Sequence, residues 1–463
     1  MANTTTVVQA WDRSPIEELT LNEWPEIDSW LANAEKLCLQ KASKPRHERA
    51  AILNRIAAAL EARVEEFAIL IAREGGKPYP DAKVEAQRAV AGVRVAITEM
   101  EKLNGEEIAM DLTAAGAGHR GFTFRQPRGP VVAISAFNHP LNLIVHQVVP
   151  AIAVGAPVIV KPADATPLNC LRFVDIVHEA GLDEAWCKAV ITDIPTAERL
   201  ATDPRVGFFT FIGSAKVGWS LRSKLAPGTR CALEHGGAAP VIVGPDADLE
   251  ATVPSLVKGG YYHAGQVCVS VQRIFVHKSR HGEMTERLKA AVDQLKTADP
   301  TLPDTEVGPL IRPGEVTRVG EWVDEAVAGG AKLVTGGKAL SETAFQPTIL
   351  DAPATDAKVS TLEIFGPVTC VYPFDALDDA MAQANALPYA FQSAVFDKNI
   401  DFCLTCAEKY DAATVMINDH TAFRVDWMPF AGLKYSGYGV GGIGYTMRDM
   451  THEKLVVIKS SAF

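Results

Sequence analysis

The chain has 463 residues, too many for one typical core, so two or three domains are expected. Hydrophobic residues make up 48% and charged residues 22%, the balance of a globular rather than a disordered or fibrous chain. The net charge of −11, from 45 basic and 56 acidic residues, argues against a nucleic-acid partner.

The first ten residues carry no basic stretch followed by an apolar one, and no run of about 18 apolar residues occurs. Neither a signal peptide nor a membrane span is expected, and the expected location is cytoplasmic. Trp11, Trp24 and Trp30 offer packing anchors in an otherwise mixed N-terminal stretch. One long helix is predicted over 46–75, because Ile52, Ile56, Leu60, Val64, Phe67 and Ile71 recur at spacings of three or four and Gly75-Gly76 follows. A second helix is predicted over 81–103. Residues 109–127 change character, from small residues to alternating Phe122 and Phe124, and read as a hairpin.

From Pro130 strands and helices alternate. Strands are predicted over 131–135, 157–161, 187–191, 208–212 and 230–233, with helices over 141–153 and 167–180 and others starting at 195 and 214. Alternation of this kind implies a doubly wound parallel sheet, which binds ligands beyond the carboxyl ends of its strands. Polar residues fall at those ends: Asn138, Lys161, Gly213-Ser214 and Glu234. A second α/β alternation follows Gly237, with helices over 248–261, 283–295 and 378–385 and strands over 271–276, 368–372, 393–396 and 414–418. The fold class is therefore α/β, a doubly wound parallel-sheet domain followed by a second α/β domain.

Two stretches carry chemistry. In Gly265-Gln266-Val267-Cys268-Val269-Ser270 a cysteine sits between valines, just after a turn that Gly265 permits. A buried core cysteine is the competing reading. In Leu233-Glu234-His235-Gly236-Gly237 a carboxylate at an apolar strand end is followed by two glycines. Glutamate is costly to bury, and a nucleophile with a separate carboxylate base is a known covalent-catalysis pairing. Gly213-Ser214 opens a helix whose free N–H groups suit a pyrophosphate, or whose serine is only a cap. Asn138-His139-Pro140 reads alone as a turn, Lys161 as a strand-end lysine and Glu363 as surface charge. Gly437-x-Gly439-x-x-Gly442 matches a dinucleotide pattern but follows no clear strand, and is discounted. Cys403-x-x-Cys406, on a helix predicted over 401–409, lacks a second pair. Reduced cysteines and no metal are expected.

Together these motifs resemble the aldehyde dehydrogenase superfamily. Glu-x-Gly-Gly, Gly-Gln-x-Cys, Glu363-Ile364-Phe365-Gly366-Pro367 and Pro429-Phe430-Ala431-Gly432 stand in the family's order. The resemblance implies a cofactor domain over 1–108 and 128–235 and a catalytic domain over 236–440. It also implies a small β oligomerisation segment over 109–127 and 441–463, with Val456–Ile458 as its C-terminal strand, in a homodimer or homotetramer. It implies that Cys268, as thiolate, attacks the aldehyde, that Asn138 holds the oxyanion and that Glu234 activates water against the thioester. NAD is the implied cofactor, contacted by Ser135, Ala136, Phe137, Lys161, Ala163, Asp164, Gly213, Ser214, Glu363 and Phe365. Asp164 would repel a 2′-phosphate and so disfavour NADP.

Departures from the family are Ile212 for threonine, His235 for leucine and Ala431 for glycine. His235 is expected to point away from Glu234, because neighbours on a strand face opposite sides. The site mouth would include His139, Asn142, His146, His420, Phe423, Arg424 and Asp426. Asn418-Asp419 and the Phe423–Phe430 stretch resemble the lactaldehyde-dehydrogenase-like branch, so the expected substrate is a small polar or anionic aldehyde. Arg424 is the candidate anchor, unless it merely pairs with Asp426 at the surface. The alternatives are a CoA-acylating relative and a non-enzymatic binding protein on the same fold.

Overall fold

The computed structural model describes residues 3–463. A six-stranded sheet has the spatial order Gly437–Tyr438, Arg230–Glu234, Phe208–Ile212, Val131–Ile134, Val158–Lys161, Cys187–Ala189. All its neighbours are parallel except the short Gly437–Tyr438 strand. Both faces are covered, as a parallel sheet requires. Val131 and Ala133 join one core, with Ile144 and Phe173 of the helices behind them. Val132, on the opposite face, joins Ile27, Leu31 and Leu200. Period-two alternation thus feeds two helical layers from one strand.

The chain leaves this sheet at Glu234 and enters a second one at Ala239. The second sheet has seven strands, with Val271–His277 flanked by Ala239–Val243 and Val368–Phe374, all parallel. A third sheet pairs Thr451–Lys459 antiparallel with His119–Pro127 over nine residues of each. Its C-terminal strand contains Val456–Ile458. Ile443–Asp449, just before that strand, packs on the Tyr79–Lys102 and Asn142–Val154 helices.

Most predicted elements stand within a few residues of their expected bounds. The helix predicted over 46–75 is two, Arg46–Ala62 and Val64–Gly75, broken where Arg63 takes φ −114° and ψ 16°. The break lets the first piece reach the Asn142–Val154 helix while both pieces contact Tyr79–Lys102. The helix predicted over 283–295 begins earlier, at Lys278, where the His277 ring accepts the Ser279 N–H as a cap. Elements with no counterpart in the sequence reading include the hairpin Thr4–Val8 with Pro15–Thr20, the helices Trp24–Leu39, Pro313–Ala328 and Ile443–Asp449, and the strands Ala239–Val243, Lys332–Thr335 and Thr348–Asp351. The Ala239–Val243 strand is central yet contains Pro240. A register shift between Ala239 and Pro240 absorbs the missing N–H.

Candidate active site

The nucleophile turn is built by close approach. Gly265 has φ +69°, and a Cβ there would stand 2.2 Å from the Gly366 carbonyl oxygen. Gln266 fastens the loop from within. Its Nε2 donates to the carbonyls of His263 (3.2 Å) and Pro309 (3.1 Å), and its Oε1 accepts the Ile311 N–H (2.9 Å). Val267 and Val269 bury themselves with Phe391 and Phe430, which leaves Cys268 half-buried at the tip. Extended structure resumes only at Val271.

Glu234 is the last residue of its strand and pairs with Gly437. The glycine-rich 437–442 segment therefore wraps the back of Glu234: a Cβ on Gly441 would lie 3.4 Å from Glu234 Oε2. His235 turns to the other side, where its Nδ1 meets the Gly213 carbonyl at 2.7 Å. Its ring lies between Phe211 and Trp219, against Gly218, where a Cβ would collide with it at 2.0 Å. Gly236 and Gly237 serve Glu363. A Cβ on Gly236 would strike its carboxylate, whose charged form the Gly237 N–H favours.

These pieces meet in one cleft of about 1020 Å³ where the two sheets face each other. Cys268, Glu234, Asn138, Arg424 and His139 line it, as do Ser135, Ala136, Phe137, Ala163, Gly213, Ser214, Glu363 and Phe365. Phe365, at φ +47°, packs edge-on against Phe137 with ring centres 5.8 Å apart. Lys161 and Asp164 are not in the lining; they pair with each other at 2.5 Å. His146 is not in the lining either and stands behind Glu234, on a separate small cavity.

Asp426 is buried, not at the surface. Arg88 grips both its oxygens at 2.8 and 3.2 Å, while Asn142 (3.1 Å) and His146 Nε2 (2.8 Å) donate to one of them. Arg424 is thereby left to another partner. Its Nη1 is 3.8 Å from Glu234 Oε1, its Nη2 donates to His146 Nδ1 at 3.4 Å, and the Phe430 ring centre lies 3.6 Å from its guanidinium carbon. His146 thus accepts at one nitrogen and donates at the other, the pattern of a neutral imidazole.

Electrostatics follow burial. Burial pushes the Cys268 thiol well up, Glu234 adds to the rise and Arg424 opposes it. Burial also raises Glu234, against the pull of Arg424. Burial lifts Glu363 to about 8, although the Gly237 N–H favours its charged form. For Asp426 burial works upward, but His146 and Arg88 hold it far below the usual carboxylate range.

Several residues here escaped the sequence reading. Glu85 and Arg88 lie on the Tyr79–Lys102 helix beside Ala82, Ala86 and Ala89, and Glu85 caps the Leu141 and Asn142 N–H groups. Charges inside an apolar stripe were the available signal. Arg318 and Trp322 reach the cleft from the unforeseen Pro313–Ala328 helix. All eight cysteines are unpaired. Among the described residues no group of three or more His, Cys, Asp or Glu is arranged to hold a metal, and no helix is long and apolar enough to cross a membrane.

The site suits a dinucleotide. Ser214 starts the Ala215–Lys224 helix without a side-chain cap, which leaves that helix end open to an anion. Ser135 Oγ and Glu363 Oε1 are buried without hydrogen-bond partners, as groups awaiting a polar ligand would be.

The aldehyde dehydrogenase family model matches residues 1–456. A 3-sulfolactaldehyde dehydrogenase of Priestia aryabhattai is 34% identical over 453 residues, 98% of this chain and 94% of that protein. Among solved structures, aldehyde dehydrogenase 21 of Physcomitrella patens, in complex with the reaction product succinate, superposes with a TM-score of 0.96 at 34% identity, covering 99% of this chain and 95% of that one. The glyceraldehyde-3-phosphate dehydrogenase GapN of Methanocaldococcus jannaschii, complexed with NADP, gives 0.94 at 32% identity, covering 99% and 100%.

Proposed function

The chain belongs to the aldehyde dehydrogenase family and is an oxidoreductase of the aldehyde group; from that premise we propose that it oxidises a short, polar, anionic aldehyde to its carboxylate through a thioester on Cys268, with NAD preferred as cofactor. The observation that carries this reading is the gathering of Cys268, Glu234, Asn138 and Arg424 in one cleft.

Cys268 gives up its proton to solvent and, as thiolate, adds to the aldehyde carbon. Asn138 and the Cys268 N–H donate to the resulting oxyanion, at roughly 3 kcal/mol per donor. The bound nicotinamide supplies the hydride acceptor. Ser214, Glu363 and Phe365 hold and orient the dinucleotide. Glu234 then removes a proton from water, whose oxygen displaces Cys268 from the acyl carbon.

Support for an anionic substrate comes from Arg424, whose buried Nε has no partner. A guanidinium matches carboxylate, sulfonate or phosphate in a two-point fashion. His139 and Phe430 line the same part of the cleft, and His146 backs Arg424. The relative acting on 3-sulfolactaldehyde and the relative crystallised with succinate carry names of the same chemical kind. Exposed Phe122, Leu455, Val457 and Ile458 on the third sheet support a homo-oligomer in which the 119–127 and 451–459 strands form the contact between subunits, whereas 443–450, also assigned to it from the sequence, packs against the Tyr79–Lys102 and Asn142–Val154 helices.

The test compares 3-sulfolactaldehyde with lactaldehyde, which lacks the sulfonate, by reduction of the nicotinamide. The anionic aldehyde should have the higher kcat/KM, and Arg424→Ala should raise KM for it by about tenfold or more without a comparable rise in KM for lactaldehyde. Equal effects on both aldehydes, or a wild-type preference for long or aromatic ones, would remove the substrate assignment.

A further inference from the structure

Glu234 is the carboxylate left to Arg424 in the cleft. Both Asp426 oxygens are held by Arg88, and His146 and Asn142 crowd one of them. The Phe430 ring beneath the guanidinium blocks one face, so partners approach along its edge. One edge position is turned to Glu234, another to His146, and Nε is free. The contact with Glu234, at 3.8 Å, is an ion pair without a hydrogen bond, which an anion making two hydrogen bonds to the guanidinium can displace.

The charges around this pair are few. Arg88, Asp426, Glu234 and Cys268 act on Arg424, and Arg424 acts on Glu234. Two arginines balance two carboxylates. An anion brought by the substrate adds one negative charge, and it needs the same guanidinium that Glu234 uses.

We propose that Arg424 is shared between two anions, Glu234 and the anionic group of the substrate, so that binding of the substrate anion frees Glu234 to act as base. The proposal rests on the reading of Arg424 as the anchor. Arg424 is then a positioning residue for hydrolysis as well as a contact for substrate. Freed Glu234 accepts a proton from water, the water oxygen bonds to the acyl carbon, and the carbon–sulfur bond breaks to release the Cys268 thiolate. With a neutral acyl group Arg424 stays on Glu234, and hydrolysis is slow.

A cofactor-free assay reads this step alone. 4-Nitrophenyl acetate and the mono-4-nitrophenyl ester of succinate load Cys268 with a neutral and an anionic acyl group, with nitrophenolate as leaving group. The burst reports acylation and the steady phase deacylation. The succinyl enzyme should deacylate about tenfold faster than the acetyl enzyme, a usual size for coupling between two ligands. Arg424→Gln, assayed at a pH where Glu234 is ionised, should speed acetyl deacylation and raise KM for the succinyl ester. A merely structural loss would slow both. If KM for the succinyl ester rises but acetyl deacylation does not, the anchor stands and the sharing is wrong. If that KM is unchanged, the anchor itself is wrong and the sharing falls with it. Should the variant not fold, methanesulfonate added to the wild-type acetyl enzyme serves instead: saturable acceleration supports the proposal and no acceleration overturns it.

Discussion

A Cβ on Gly236 would lie 1.6 Å from Oε1 of Glu363, a residue on the far side of the cleft. The first glycine after the base thus lets a carboxylate of the second α/β unit come against the backbone that links the two sheets. The Gly237 N–H favours the charged form of the same carboxylate.

Gly236→Ala should therefore displace Glu363 and weaken dinucleotide binding, with the Kd rising by about tenfold, the loss of one charge-assisted hydrogen bond. Quenching of protein fluorescence by the dinucleotide measures it. An unchanged Kd would show that Glu363 does not hold the cofactor.

Cys268→Ala should lower aldehyde oxidation by at least about 10³-fold, as loss of a nucleophile does in other covalent enzymes. Dinucleotide affinity should stay within a factor of about two, because Cys268 is not among the groups proposed to hold the cofactor. Substantial turnover would remove the thioester route.

Glu234→Gln should give a burst of up to one reduced nicotinamide per site, then a slow phase. An amide cannot take the proton of water. In the unaltered enzyme, burial raises Glu234 above the ordinary carboxylate value. A base works only when ionised, so deacylation is full above that raised pKa and is lost as pH falls through it. The acid limb should therefore lie above the ordinary Glu pKa of about 4.3. A limb at or below that value, or a steady rate equal to the parent, would show that another group is the base.

Asp164→Ser should narrow the preference for NAD over NADP, read as the ratio of the two kcat/KM values. The Asp164 side chain is 71% exposed and partly neutralised by Lys161, so the repulsion of a 2′-phosphate is screened and the change should be modest, about three- to tenfold. A wild-type preference for NADP would refute the role given to Asp164. The NADP bound to the Methanocaldococcus jannaschii relative makes the comparison a real test.

Local chemistry was legible in the sequence. The alternation of strands and helices, the turn before Cys268, the acid at the end of its strand and the open helix start at Gly213-Ser214 are all written within a few residues. Strand and helix periods and turn preferences are short-range properties of the backbone. The discounted 437–442 segment lies behind Glu234, paired antiparallel with its strand and leading into the Ile443–Asp449 helix. The hidden elements were those whose local signals conflict, as in Ala239–Val243 with its Pro240.

Partners were decided only by the tertiary structure. Arg424 and Asp426 are two residues apart and of opposite charge, yet Asp426 belongs to Arg88, 338 positions away, and Arg424 faces Glu234. Sequence spacing does not select among ions of the same sign. Selection depends on which carboxylate is buried with its oxygens already taken, and that is set when the Tyr79–Lys102 helix, the strand end at Glu234 and the 420–430 loop are packed together. For the same reason the sequence alone showed a base and an arginine as separate residues, and only the fold made them neighbours competing for the same charge.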